Sequence, residues 1–271
     1  MARRARVDAE LVRRGLARSR DHARELIAEG RVLISGNTAT KPATAIEAGT
    51  PLRVVEVDSE ISWASRGAHK LIGALEAFTP HGLTVSGKRC LDAGASTGGF
   101  TDVLLHNGAR EVVAVDVGYG QLVWRLQSDE RVRVVDRTNV RSIDTETIGG
   151  MVDLVVADLS FISLELVLPA FVACLGAGGD VVPMVKPQFQ VGKDRVGAGG
   201  VVRDPELRVE AVSEVSRAAA KLGLRTAGVV ASPLPGPSGN VEYFLWLKSE
   251  PEAGEVDVEA LIRSAVQEGP Q

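Results

Sequence analysis

Six short runs of β-forming residues recur between residues 88 and 247, and segments with helical spacing separate most of them. Apolar strands that alternate with helices form a mainly parallel sheet whose two faces are covered by helices. The sequence therefore predicts an α/β domain of Rossmann-like type over residues 65–248, with an antiparallel last strand and with ligands at the carboxyl ends of the strands. The strands are predicted at 88–93, 111–116, 132–136, 152–158, 180–186 and 241–247.

The 271 residues are enough for two domains and for a sizeable core. A small α+β domain is predicted over residues 1–58, and a short linker over 59–64 separates it from the larger domain. Residues 249–271 carry six acids and one arginine, which predicts an acidic tail.

Cysteine usage and hydropathy exclude several classes of protein. Cys90 and Cys174 both lie in apolar surroundings, which argues against a secreted disulfide framework and favours a reducing cytoplasm. The sequence has no CxxC, no HExxH and no Cys/His cluster, so no metal site is expected. No membrane segment is expected either, because the longest apolar stretch, Leu164 to Leu175, is interrupted by Glu165 and Pro169.

The average charge of the chain conceals an asymmetry. The formal net charge is −4, from 31 basic and 35 acidic residues, and taken alone it argues against a nucleic-acid binder. Residues 1–24, however, hold eight arginines against three acids, a net charge of +5, whereas residues 249–271 stand at −5. The basic N-terminal segment therefore keeps an RNA-binding function open.

Two short helices are predicted in this basic segment. Asp8 is expected to cap the first, which Gly15 ends, and Ser19 to cap the second, which Gly30 ends. A strand with a tight turn over 31–37 and a second strand over 52–57 complete the domain.

The pattern from Arg6 to Ile34, continued by Lys41-Pro42, resembles the RNA-binding domain named after small-subunit ribosomal protein four. In that family, basic residues of two helices bind structured RNA through its phosphates and shape. A pair of solvated helices whose charges only aid solubility is the alternative. The resemblance implies RNA contacts by Arg3, Arg4, Arg6, Arg18, Arg20 and Arg24.

A glycine-rich loop follows the first strand of the larger domain. Gly94, Gly98 and Gly99 allow close approach of a ligand, but their spacing is neither GxGxxG nor a Walker A sequence, which disfavours a nicotinamide dehydrogenase. Asp116 ends the next strand, where a carboxylate can accept both ribose hydroxyls of a nucleoside. This arrangement resembles S-adenosylmethionine-dependent methyltransferases. The expected cofactor contacts here are Asp92, Gly94, Ser96, Thr97, Gly98, Gly99, Phe100 and Asp116.

Residues at the later strand ends indicate which group is methylated. The segment Asp158-Leu-Ser-Phe lacks the prolines typical of base amino-group methylation, and neither cysteine has the Pro-Cys setting of ring-carbon methylation. A ribose hydroxyl must instead lose its proton as it attacks, and a neutral lysine can accept that proton when burial and a neighbouring cation favour the neutral form. The candidate catalytic residues are Lys70, Asp158, Lys186 and Glu242.

These four residues match the Lys-Asp-Lys-Glu tetrad of the FtsJ-like ribose 2′-O-methyltransferases. Over residues 3–248 the chain also closely resembles the TlyA family, which joins the same RNA-binding and catalytic domains. The runs that carry this resemblance are Ser65-Arg-Gly-Ala-His-Lys-Leu, Asp92-Ala-Gly-Ala-Ser-Thr-Gly-Gly-Phe, Asp158-Leu-Ser-Phe-Ile-Ser, Val185-Lys-Pro-Gln-Phe and Ser232-Pro-Leu-Pro-Gly-Pro.

The resemblance implies 2′-O-methylation of cytidine in 16S and 23S ribosomal RNA within ribosomal subunits, by a cytoplasmic monomer, with an effect on capreomycin and viomycin sensitivity. It implies that Lys186 is the base, that the other tetrad residues orient it, and that Asp158 and Phe161 lie near the cofactor. The loops 188–204 and 232–240 either contact RNA or are plain surface connections. A haemolysin and a non-catalytic RNA-binding assembly factor are the competing hypotheses.

Overall fold

A computed structural model describes residues 4–28, 30–47, 49–55, 62–236, 238–249 and 256–269. The chain divides into two compact units, Met1–Ser62 and Trp63–Gln271, close to the boundary predicted from the sequence. Nowhere in these described ranges is a helix both long and apolar enough to cross a membrane.

The first unit packs two helices against short strands. Its sheets are antiparallel: β1 pairs with β4, and β2 lies between β3 and β5. Leu11, Ala23, Leu26 and Ile27 form the helical side of its core, as the apolar spacing predicts. The elements are β1 (Arg4–Arg6), α1 (Val7–Arg13), α2 (Arg20–Ala28), β2 (Val32–Ile34), β3 (Asn37–Thr38), β4 (Ala45–Glu47) and β5 (Leu52–Val54).

Local capping agrees with the sequence prediction at one helix and differs at the other. Ser19 accepts a hydrogen bond from the backbone N–H of His22 at 3.1 Å, as predicted for the start of α2. The capping role predicted for Asp8 is wrong, because α1 begins one residue earlier, at Val7. Asp8 is instead fully buried, and its carboxylate binds arginine side chains.

The second unit is built on a seven-stranded sheet with the order β11-β12-β10-β9-β6-β7-β8. The strands β10, β9, β6, β7 and β8 are parallel, and β12 runs antiparallel to both of its neighbours, as predicted. Its elements are α3 (Ala68–Phe78), β6 (Arg89–Ala93), α4 (Gly99–His106), β7 (Glu111–Val115), α5 (Trp124–Gln127), β8 (Val132–Val135), α6 (Thr145–Ile148), β9 (Val152–Ala157), α7 (Leu168–Cys174), β10 (Leu175–Val185), α8 (Pro205–Lys221), β11 (Arg225–Ala231), β12 (Tyr243–Lys248) and α9 (Val258–Glu268).

The core lies on both faces of this sheet because successive strand residues point to opposite sides. Leu91 and Val155 belong to the layer that includes α7, α8 and α9, whereas Cys90 and Leu154 belong to the layer that includes α3 and α4. Such strands are apolar on both faces, which is why they read as continuous hydrophobic runs in the sequence.

Two C-terminal elements differ from the sequence prediction. β11 is not among the predicted strands, because its run Arg-Thr-Ala-Gly-Val-Val-Ala contains few strong β-formers. The segment predicted as an acidic tail contains α9, whose Ile262, Ala265 and Val266 are buried in the main core. Net charge hid the helical spacing of these apolar residues, since the acids of α9 occupy its other faces.

Candidate active site

The order of the strands brings the glycine loop and Asp158 to one edge of the sheet. β6 lies between β9 and β7, so the segments that follow β6 and β9 leave the sheet side by side. The backbone N–H of Asp158 donates to the carbonyl of Ala93 at 3.1 Å, and a Cβ placed on Gly94 would lie 2.6 Å from the carbonyl oxygen of Asp158. Only glycine permits this approach, which lies where open α/β sheets bind ligands.

The glycine loop has a left-handed backbone at three positions. Gly94 has a φ of 87°, Ser96 of 47° and Gly98 of 101°, and Gly98 is the N-cap of α4. A Cβ on Gly98 would also collide with Leu126. Gly94 is half-buried, and Ser96 and Thr97 are exposed, so these residues remain accessible to a ligand.

Asp116 closes this loop from the next strand. Its Oδ2 accepts from the backbone N–H of Ser96 at 2.8 Å, and its Oδ1 accepts from the N–H of Gly118 at 2.7 Å. A carboxylate oxygen can accept a second hydrogen bond, so the fixed carboxylate fits a pair of ribose hydroxyls. The sequence predicts a ribose-binding role for this acid, and the structure adds the backbone contacts that orient it.

Four of the predicted cofactor residues lie inside the protein instead of on the surface of the cleft: Asp92, Gly98, Gly99 and Phe100 are buried. Asp92 accepts a hydrogen bond from the hydroxyl of Thr101 at 2.7 Å, and its other oxygen has no partner among the described residues. Burial raises the pKa of Asp92 to about 7, although the Thr101 hydroxyl opposes this. Phe100 packs against Phe244 with ring centroids 6.0 Å apart.

The four candidate catalytic residues form two lysine–carboxylate pairs. Lys186 Nζ lies 2.6 Å from Oδ1 of Asp158 and donates to the hydroxyl of Ser160 at 2.9 Å. Lys70 Nζ donates to Oε2 of Glu242 at 2.5 Å. The two lysine side chains are 8% and 9% exposed, and that of Glu242 is fully buried. Buried charges require such partners, and Ser160 is a partner that sequence reasoning did not identify.

The register of the sheet places the two pairs at the same edge. Val185 of β10 pairs with Tyr243 of β12, so Lys186, which follows β10, and Glu242, which precedes β12, occupy the next position of the ladder. The second oxygen of Glu242 is buried and has no hydrogen-bond partner in the part of the chain that the structure describes. This oxygen lies against the loop 232–240, since a Cβ on Gly236 would be 2.6 Å from it.

The helix α3, which carries Lys70, is fixed by two close contacts. A Cβ on Gly99 would lie 3.0 Å from the backbone nitrogen of Ala68, at the start of α3. A Cβ on Gly73, one turn after Lys70, would lie 2.7 Å from Cγ of Pro233. The position of Lys70 therefore depends on both the glycine loop and the loop 232–240.

Asn240 joins the two loops that the sequence offers as possible RNA contacts. Its Oδ1 accepts from the N–H of Val202 at 2.9 Å, and its Nδ2 donates to the carbonyl of Gly200 at 2.8 Å. Its own carbonyl accepts from the N–H of Gly236 at 2.9 Å. Sequence reasoning did not single out Asn240, because both of its loops are defined only by their composition.

Phe161 stands at the mouth of the cleft. Its side chain is 90% exposed, its φ is 64°, and its ring lies 5.1 Å from that of Phe189. Both rings line a cavity of about 470 Å³ together with Ile162, Ser163 and Gln188. A non-glycine residue with a positive φ and an exposed aromatic ring suggests a functional position.

The arginines predicted to bind RNA are located in the first unit. Arg3 lies outside the described residues, and Arg4 belongs to β1. Arg18 is exposed. Arg6 and Arg20 each donate to the buried carboxylate of Asp8, at 2.9 and 3.0 Å, and Arg24 lies 3.8 Å from it.

Among the described residues, no group of three or more His, Cys, Asp or Glu side chains is arranged to hold a metal ion. Cys90 and Cys174 are both buried free thiols, and burial raises the pKa of each. These thiols are therefore held in their unreactive, protonated form.

Comparisons with protein families divide the chain in the same way as its fold. The model of the FtsJ-like methyltransferases matches residues 63–249, and that of the S4 domain matches residues 5–51.

Individual relatives are similar over nearly the whole chain. The 16S/23S rRNA (cytidine-2′-O)-methyltransferase TlyA of Mycobacterium tuberculosis is 62% identical over 272 residues, which cover 100% of both chains. Hemolysin A of Brachyspira hyodysenteriae is 35% identical and covers 88% of this chain and 98% of its own. The solved structure of a hemolysin-named protein from Streptococcus thermophilus has a TM-score of 0.74 and 36% identity, covering 99% of this chain and 96% of its own.

Proposed function

The chain belongs to the FtsJ-like methyltransferase family, and we propose that it transfers a methyl group from S-adenosylmethionine to the ribose 2′-hydroxyl of cytidine in 16S and 23S ribosomal RNA. The observation that carries the proposal is the pair of buried Lys186 and half-buried Asp158, which adjoins the glycine loop through the contact between Asp158 and Gly94. Similarity to the TlyA methyltransferase supplies the substrate class.

The cofactor is held by the accessible residues of the cleft. When bound, S-adenosylmethionine supplies a methyl group on a cationic sulfur, and the sulfur leaves as an oxygen attacks the methyl carbon in line with the carbon–sulfur bond. Asp116 would bind the ribose hydroxyls of its nucleoside, and Gly94 permits close approach. Ser96, Thr97, Asp158 and Phe161 complete the proposed contacts, whereas Asp92, Gly98, Gly99 and Phe100 shape the loop from inside the protein.

Lys186 is the proposed base. The neutral Nζ accepts the proton of the attacking hydroxyl, and Asp158 stabilises the ammonium that forms. Asp158 and Ser160 also fix the position of Nζ. Lys70 and Glu242, which form the second pair, orient Lys186 and adjust its basicity.

RNA binding is assigned to the S4 domain, through Arg3, Arg4, Arg6, Arg18, Arg20 and Arg24. These side chains address phosphates and the shape of the RNA. The second unit is close to neutral outside its acidic C-terminus, so long-range attraction to RNA comes mainly from the first unit.

We also propose that the protein is a monomer and that it acts on ribosomal subunits in the cytoplasm. Its activity requires no metal ion. The proposal also includes a contribution to capreomycin and viomycin sensitivity. A haemolysin is not favoured, because the chain is 62% identical to an rRNA methyltransferase and only 35% identical to Hemolysin A. The intact lysine–carboxylate pairs likewise disfavour a non-catalytic assembly factor.

Lys186→Ala tests the base. In ribosomal subunits that lack the modification, labelled S-adenosylmethionine should introduce label into a ribose, and Lys186→Ala should lower the rate by about a hundredfold or more because the proton has no acceptor. Asp158→Ala should also abolish labelling. Lys88→Ala is the matched control, since Lys88 forms a similar pair with Asp180 at 2.7 Å next to the other end of the strands. Label in a base would contradict the ribose assignment.

Removal of residues 1–60 tests the RNA-binding unit. Binding to ribosomal subunits should weaken, and its dependence on salt concentration should become less steep, because fewer counterions are released. Filter binding at several salt concentrations measures both effects. The truncated chain should still bind S-adenosylmethionine, which confirms that its second unit is folded. Unchanged subunit affinity would show that the arginines do not act as proposed.

A further inference from the structure

A single carboxylate gathers three of the N-terminal arginines. Arg6 donates from Nε to Oδ1 of Asp8 at 3.0 Å and from its terminal nitrogen to Oδ2 at 2.9 Å. Arg20 donates to Oδ2 at 3.0 Å, and Nε of Arg24 lies 3.8 Å from the same oxygen. The hydrogen bond from Arg6 is the main cause that holds the pKa of Asp8 well below its usual range.

The carboxylate of this cluster is buried, whereas its three arginine side chains are about half exposed. The Asp8 side chain is fully buried, whereas those of Arg6, Arg20 and Arg24 are 48%, 52% and 51% exposed. A guanidinium has five N–H donors, so each arginine keeps donors beyond those that Asp8 uses. Arg24 also donates to Oδ1 of the exposed Asp21 at 2.9 Å, so the cluster with this carboxylate has a net charge of +1, and Arg6 and Arg20 are the cations that Asp8 holds most closely.

We propose that Asp8 is a positioning residue that holds Arg6, Arg20 and Arg24 as one preformed group for binding RNA phosphates. The inference rests on the RNA-binding role proposed above for these arginines. Long arginine side chains lose rotamer freedom when they bind a phosphate. Arginines already ordered by Asp8 lose less, and binding is tighter by that difference.

Glu10 on the same helix provides an internal control. It is 2% exposed and accepts hydrogen bonds from Arg13 and Arg14 at 2.6 and 2.7 Å. Arg14 also donates to the carbonyl of Thr50 at 2.8 Å, and its side chain is only 22% exposed. Glu10→Gln therefore removes a buried carboxylate from α1 without touching the arginines around Asp8.

Asp8→Asn in the full chain tests the inference, because net charge and the positioning role predict opposite changes in RNA affinity. Charge counting predicts tighter binding to any RNA, because one negative charge is lost. The positioning role predicts that the Kd for unmodified ribosomal subunits rises about tenfold or more, since several arginines must be ordered on binding. The affinity for S-adenosylmethionine should not change. Equal or tighter subunit binding by Asp8→Asn would overturn the inference.

A double-mutant cycle separates positioning from a merely structural role. Arg20→Ala should weaken subunit binding strongly in the wild type and much less in the Asp8→Asn background, because Arg20 is then no longer held in place. In the Glu10→Gln background, Arg20→Ala should weaken subunit binding as much as it does in the wild type. Additive effects of Asp8→Asn and Arg20→Ala would overturn the inference. If Arg20→Ala and Arg6→Ala have no effect even in the wild type, the proposed RNA-binding role itself fails.

A measurement on the wild type covers the case in which Asp8→Asn unfolds the first unit. The Nε–H groups of Arg6 and Arg20 should give NMR signals of ordered side chains in the free protein, in contrast to those of the exposed Arg18. Equal mobility of all three side chains would overturn the inference.

Discussion

At the scale of single residues, the site is defined by charges that are buried in pairs. Lys186 and Lys70 each lie within 2.6 Å of a carboxylate oxygen, and these partners offset the cost of removing an ammonium from water. Asp92 is fully buried, and the hydroxyl of Thr101 donates to it. Burial raises the pKa of Asp92 and so favours its neutral form.

The stability of the protein should depend on the ionisation of Asp92. Its folded-state pKa is about 7, against an ordinary value of 3.8. The protonated carboxyl stabilises the fold fully below pH 4, and this contribution is lost as the pH rises through 7. In the variant Asp92→Asn the side chain at position 92 is an amide, which does not titrate in this pH range. The free energy of unfolding of the wild type relative to this variant should therefore fall between pH 4 and 8, by about 4 kcal/mol at most.

Urea unfolding of both proteins at pH 4.5, 6 and 8 measures this difference, in which all other titrating groups cancel. A difference that stays constant with pH would contradict the raised pKa.

At the scale of secondary-structure elements, α3 connects the glycine loop with the loop 232–240. Its first turn contacts Gly99 of the glycine loop, its middle contacts Pro233, and Lys70 lies between these contacts. The sequence identified Lys70 and both loops separately. It did not indicate that Gly73 is the residue that lets α3 and the loop 232–240 meet, because a lone glycine in a helix has no specific meaning without its neighbour.

Gly73→Ala should impair methylation because its Cβ would lie 2.7 Å from Cγ and 2.8 Å from Cδ of Pro233. One of the two elements must shift by several tenths of an ångström, which moves Lys70 relative to Glu242 and should lower the rate about tenfold. Single-turnover labelling of ribosomal subunits measures this rate.

The double variant Gly73→Ala/Pro233→Ala is the control for this steric explanation. It retains only the Cβ of residue 233, which lies 3.7 Å from the new methyl group, so activity should return. A double variant no better than Gly73→Ala would show that the contact with Pro233 is not the cause.

At the scale of the whole molecule, function and charge are distributed over two units. The basic residues 1–24 belong to the first unit, whereas the acidic C-terminus belongs to the second and includes the packed helix α9. The overall net charge of −4 therefore describes neither unit. Because α9 contributes Ile262, Ala265 and Val266 to the main core, the C-terminus supports the catalytic unit.

Ile262→Ala tests this support. Its side chain is 1% exposed, so the substitution leaves a cavity and should lower the free energy of unfolding by about 2–5 kcal/mol. Val256→Ala is the control, because Val256 is 38% exposed and the loss of two carbon atoms there should cost less than about 0.5 kcal/mol. Chemical unfolding measures both values. Equal effects would mean that α9 does not pack on the core in solution.

From the sequence alone we predict the two domains, the parallel sheet, the glycine loop, Asp116 and the candidate tetrad residues, because these depend on local spacing and on the chemistry of each residue type. The pairing of each lysine with its acid could be read only from the three-dimensional structure, since Lys70 and Glu242 are 172 residues apart and meet through the order of the strands. The structure also shows that Asp8 lies at the centre of an arginine cluster and that α9 is buried. In both cases the contacts of a side chain depend on how separate elements pack together, which no local sequence pattern specifies.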